Sequence, residues 1–130
     1  MDKTITVIQE KRKSADRLTK NNKLYKTIIH AIQDKKGEGI ISLDLRKIDE
    51  AVADFFIICE ARSNVQCKAI ADYVQEMVEN ECNDRPYHTE YGDKWSLIDF
   101  VNVVVHIFQH EHRIYYNLEN LWEDAPRTDY

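Results

Sequence analysis

The stretch VVVHIFQHEHRIYYNLENLWED, Val103 to Asp124, brings His106, His110 and His112 into one short segment, a grouping that raises the question of a metal site. Structural zinc needs about four converging ligands and catalytic zinc about three. No cysteine or carboxylate stands at a supporting spacing, so no metal is expected. Phosphoryl or nucleotidyl transfer would need a glycine-rich approach to the phosphates and paired carboxylates to hold Mg²⁺. No glycine directly follows the apolar run DFFIICE (Asp54–Glu60), and no Asp-x-Asp pair occurs. Asp44 and Asp54 stand apart at strand edges and suit turns or caps. Cys59 lies inside an apolar run and reads as a small core hydrophobe. Neither a nucleophile nor a cofactor site can be assembled from spacing, and a non-enzyme is expected.

The second half of the same stretch suggests recognition. Tyr115, Leu118, Leu121 and Trp122 recur at i, i+3, i+6 and i+7, a stripe that suits one helix face. Such a stripe is more often core than interface. Two observations weigh the other way. Trp95 and Trp122 are the chain's two tryptophans, and acids surround them in sequence: Asp99, Glu119, Glu123 and Asp124. Aromatics that displace water, rimmed by carboxylates that set register, suit a basic protein surface. On these residues alone, core and interface stand even.

Those side chains need elements to hold them. Leu24, Ile28, Ala31 and Ile32 recur at helical spacing, and Lys35–Lys36–Gly37 supplies a basic last turn with a glycine stop. Ile40–Leu45 reads as a strand, and Asp54–Glu60 as a strand buried on both faces. Ser63 and Gln66 fit a capping box. They open a helix whose stripe is Cys67, Ile70, Ala71, Val74, Met77 and Val78. Asn83–Asp84 ends that helix, Arg85–Tyr91 is a further strand, and Gly92–Asp93 a turn. WSLIDF and VVVHIF, separated by Val101–Asn102, predict a hairpin that pairs Trp95 with Phe108, Leu97 with His106 and Asp99 with Val104. His106 and Asp99 would then be diagonal neighbours, and a partly buried His106–Asp99 hydrogen bond is expected. His110 and His112 fall beyond the strand, near a helix start. Val101 is a poor residue for the positive φ of a tight hairpin turn, which leaves the register open to adjustment. The order α-β-β-α-β-β-β with short C-terminal helices implies an α/β fold, a mixed sheet of about five strands with helices packed on it.

At 130 residues, with 43% hydrophobic and 32% charged residues, the chain suits one domain with one sizeable core. No apolar run reaches a membrane span. The charged N-terminus lacks a signal-peptide core, and three scattered cysteines suit a reducing, cytoplasmic setting. Residues 1–21 hold six basic and three acidic residues and read as a flexible basic tail; residues 22–130 hold 12 basic against 20 acidic and read as the domain. An acidic body argues against broad RNA contact and fits a basic protein partner.

Three blocks carry a resemblance. They are DFFIICEARSNVQCKAIAD, then WSLIDFVNVVVHIF, then RIYYNLENLWEDAPR. Together, from about Leu24 to Arg127, they resemble the ribosomal silencing factor, or Iojap-like, family. The resemblance implies a nucleotidyltransferase-like topology without the catalysis. It also implies binding to large-subunit ribosomal protein fourteen on the intersubunit face, which blocks small-subunit joining and represses translation. It favours an interface role for Trp95, Leu97, Asp99, Tyr116 and Trp122, with Tyr115 and Leu118 left to pin the segment to the sheet. The full partner-binding set is Trp95, Leu97, Asp99, Tyr115, Tyr116, Leu118, Glu119, Leu121, Trp122 and Asp124. The family often has Gly-Thr where this chain has Ala61–Arg62, and a Gly-Asp-type turn where it has Val101–Asn102. Alternatives are a large-subunit assembly factor, a homodimeric module using the same face, or a nucleotide-handling enzyme.

Overall fold

Helical spacing in the first periodic segment becomes helix α1, Lys23–Asp34, capped by the Asn22 side chain, which accepts from the Leu24 amide at 2.8 Å. The computed structural model describes residues 22–130, and the basic tail expected over residues 1–21 lies outside them. Helix α1 stops in a Schellman arrangement: Gly37 N–H donates to Ile32 O at 2.9 Å and Lys36 N–H to Gln33 O at 3.0 Å. The left-handed residue is Lys36, at φ 64°, and not the expected Gly37. Gly37 is needed for space, because a Cβ there would run into the Ile32 side chain.

Strands β1 (Glu38–Asp44) and β2 (Phe55–Ala61) follow, then helix α2 (Asn64–Cys82). The capping box forms with a one-residue shift. Gln66 N–H donates to Ser63 Oγ at 3.1 Å, while Gln66 Oε1 accepts from the Arg62 amide at 2.8 Å. Helix α2 ends at Asn83 in the left-handed region. Strand β3 is only His88–Glu90, shorter than expected; β4 is Trp95–Asp99 and β5 Val103–Gln109. Two short helices, α3 (His110–Tyr116) and α4 (Leu118–Leu121), precede β6 (Arg127–Asp129).

Among the described residues the sheet has six strands in the order β3-β4-β5-β2-β1-β6, and only the β2–β5 pairing is parallel. The sixth strand escaped the sequence because three polar residues after a proline carry no apolar alternation; β6 is held by pairing with β1. The β4–β5 register is the expected one, Trp95 opposite Phe108, Leu97 opposite His106 and Asp99 opposite Val104.

The two sheet faces are covered differently. One packs Phe55, Ile57, Cys59, Val103, Val105, Ile107 and Ile98 against α1 and α2, whose Ile28, Ile32, Cys67, Ile70, Ala71, Val74 and Val78 are buried. The other carries Ile41, Leu43, Phe56, Ile58, Val104, His106 and Phe108. The connection 45–54 and the C-terminal segment cover part of it, through Leu45, Ala51, Ala53, Leu118, Trp122 and Ala125. That thinner cover leaves β4 half-open. Its burial alternates: Ser96 and Ile98 are sealed inside, whereas Trp95, Leu97 and Asp99 are only partly buried. Strand β5, its neighbour, is buried along nearly its whole length.

Candidate protein-docking surface

The hairpin that presents β4 turns on a residue unsuited to its backbone. Val101 sits at φ 75° and is buried. A β-branched side chain there carries a strain of about 1–3 kcal/mol. The surroundings hold it in place. Val101 N–H donates to Asp99 Oδ1 at 2.7 Å, Asn102 N–H closes back on Phe100 O at 3.0 Å, and Asn102 Nδ2 donates to Asp54 Oδ2 at 3.0 Å. The register therefore survives the poor turn residue, and Asp99 serves the turn as well as its face.

Trp95 stands in an aromatic box. Its ring stacks on Phe108 with centroids 4.9 Å apart, and lies 5.0 Å from Tyr116 and 5.6 Å from His106. The indole Nε1–H donates to His106 Nδ1 at 3.1 Å. This corrects the expected His106–Asp99 pair. Cross-strand geometry sets His106 directly opposite Leu97 and beside Trp95, and the longer indole reaches the imidazole first. His106 is 3% exposed, and burial lowers its pKa to about 3, so the ring is neutral. Since Nδ1 accepts, Nε2 carries the proton, and among the described residues it has no hydrogen-bond partner. His110 lies elsewhere, with Nδ1 2.5 Å from Glu60 Oε2. Among the described residues, no three His, Cys, Asp or Glu side chains converge as metal ligands. Burial also pushes the Cys59 thiol up to about 12, so it is not a thiolate nucleophile.

The C-terminal aromatic stripe is not one helix face. Asn117 adopts φ 47° and breaks the segment into α3 and α4, which changes which side chains point in. Tyr115 is 80% exposed and does not pin the segment to the sheet. Tyr116 packs on Trp95 and Phe108 while staying 44% exposed. Leu118 and Trp122 are half-buried against the second core, with Trp122 edge-on to Phe56 at 5.9 Å. Leu121 is 70% exposed, and Asp124 is exposed. Ile114, absent from the expected set, is also exposed. Its signal was present: three consecutive bulky residues, Ile114–Tyr115–Tyr116, cannot all face one core from a helix.

Arg113 anchors this segment. Its buried guanidinium donates to Gly39 O at 2.6 Å, Glu60 Oε1 at 3.0 Å and Glu119 Oε1 at 3.2 Å. Glu119 thus spends a carboxylate oxygen inside the fold. Gly39, at φ 57°, makes room: a Cβ there would lie 2.5 Å from Arg113 Nη1. Arg113 escaped sequence reasoning because its partner Glu60 lies 53 positions away and no local spacing links them.

The family described as ribosomal silencing factor during starvation matches residues 18–130. The chain belongs to that family. It is 37% identical over 110 residues to the ribosomal silencing factor of Halalkalibacterium halodurans, covering 84% of this chain and 93% of that protein. It is 41% identical over 100 residues to that of Bacillus subtilis, covering 76% and 84%. A crystal structure of a protein from Chromobacterium violaceum superposes with a TM-score of 0.71 at 34% identity, over 77% of this chain and 83% of that one. As expected of a ribosomal silencing factor from the three sequence blocks, the fold is mixed α/β with helices on the sheet. Among the described residues no helix is long and apolar enough to cross a membrane.

Proposed function

We propose that this chain binds large-subunit ribosomal protein fourteen at the intersubunit face and blocks small-subunit joining by occupancy, without catalysis, in the cytoplasm. One observation supports the reading most: β4 leaves Trp95, Leu97 and Asp99 partly exposed on the thinly covered sheet face, with the exposed Tyr116 packed on Trp95 and Tyr115 beside it. Rigid aromatics of this kind supply most of the energy of a protein interface. Asp99, Asp124 and the acidic balance of residues 22–130 complement a basic protein and disfavour wide RNA contact. Glu119, bound by Arg113, positions the segment more than it meets the partner.

Residues 22–130 form the working domain in this reading, and the mechanism is steric. A folded domain of this size, about 30 Å across, cannot be accommodated between two apposed subunits. The test is subunit joining followed by light scattering. Excess protein added to isolated large subunits should suppress association with small subunits; unchanged association would refute the reading. Exposed Ile114, Tyr115 and Leu121 favour a homodimer as the second reading. Sizing of the free chain across a concentration series distinguishes it.

A further inference from the structure

We infer that His106 is a positioning residue, whose Nδ1 fixes the Trp95 indole in the orientation a protein partner meets; this rests on the docking role proposed for Trp95.

Four observations carry it. First, His106 is a buried polar residue in an otherwise apolar cluster, with Phe56 edge-on at 4.6 Å and the rings of Trp95 and Phe108 beside it. A leucine would fill that space without leaving a donor bare, whereas Nε2–H has no partner among the described residues. Burying a donor unsatisfied works against folding, so the ring's contribution must lie in its other nitrogen. Second, that nitrogen accepts the indole Nε1–H at 3.1 Å. Third, the indole is only partly buried. Stacking on Phe108 defines the plane of the ring but not its in-plane orientation. The single donor of the indole selects between the ring's two edges, because only one flip brings Nε1 to His106. Fourth, burial keeps the imidazole neutral at working pH, which preserves Nδ1 as an acceptor.

A side chain locked before contact loses less conformational freedom on binding, and this is how an unseen residue raises the affinity of an exposed one. His106 would therefore act on a partner it never touches.

The experiment compares four variants in the full chain, titrated against isolated large ribosomal subunits. His106→Asn places an amide oxygen near the position of Nδ1, whereas His106→Gln reaches the position of Nε2 and His106→Leu offers no acceptor. Trp95→Ala reports on the docking role itself. The two tryptophans give two indole N–H signals by nuclear magnetic resonance, so the hydrogen bond is read directly in the free chain. The expected result is that Asn retains slow indole exchange and binds within about twofold of the native chain. Leu and Gln lose the exchange protection and bind about three- to tenfold more weakly, the span of one modest hydrogen bond. Should Leu fail to fold, the Asn–Gln comparison stands alone. Equal binding by Asn and Gln would overturn the inference even if Trp95→Ala abolishes binding. Native-like binding by Trp95→Ala would instead overturn the docking reading beneath it.

Discussion

Acidification should destabilise this fold through one residue. His106 has its pKa lowered from 6.5 to about 3 by burial among Trp95, Phe56 and Phe108, with Leu97 opposite it on β4. Above pH 6.5 the imidazole is neutral in both folded and unfolded chains and adds no pH dependence. Below it, the unfolded chain takes up a proton that the folded chain refuses until about pH 3. Stability is therefore full above the unfolded value and is lost as the pH falls through that window. One pKa unit corresponds to about 1.4 kcal/mol, so moving from about pH 7.5 to about pH 5 should remove about 2 kcal/mol. Urea denaturation at both pH values, on the native chain and on His106→Asn, isolates this residue. Contributions common to both proteins cancel in the difference. The stability gap between the two proteins should shift by about 2 kcal/mol against the native chain on acidification. A gap that stays constant to within about 0.5 kcal/mol would refute the assignment of His106 as a buried neutral base.

Arg113→Ala strips Glu60 and Glu119 of their buried cation and should cost about 3 kcal/mol in urea denaturation. Hydrogen exchange should speed up mainly in α3 and α4; a loss spread evenly over the sheet would contradict the anchoring role. Val101→Gly exchanges a buried valine, worth about 1.5–3 kcal/mol, for relief of a strain of similar size at φ 75°. Its net effect should stay within about 1 kcal/mol by the same assay, and a loss above about 3 kcal/mol would show that the turn is not strained.

What the sequence disclosed follows the range of the interactions involved. Helices α1 and α2, strands β1, β2, β4 and β5, and the β4–β5 register were legible, because apolar period and nearby caps set them locally. That register set Trp95, Leu97 and Asp99 on one shared face; the family resemblance, and not the spacing, favoured that face for docking. Three features were not legible, for one shared reason: each depends on a contact distant in sequence. Strand β6 exists through β1, Arg113 through Glu60, and the seat of α3 before the break at Asn117 through Tyr116 on Trp95. The His106–Asp99 expectation failed differently. It weighed a hydrogen bond across a diagonal and overlooked that an indole on the same face could reach the imidazole first.

The docking proposal requires the tryptophan-bearing face of β4 to hold the large ribosomal subunit. Cosedimentation with isolated large subunits tests it most directly, comparing the native chain with Trp95→Ala, whose folding is checked by circular dichroism. The native chain should pellet with the subunits, and folded Trp95→Ala should stay in the supernatant. Equal pelleting of the two would contradict it and place the contact on another surface.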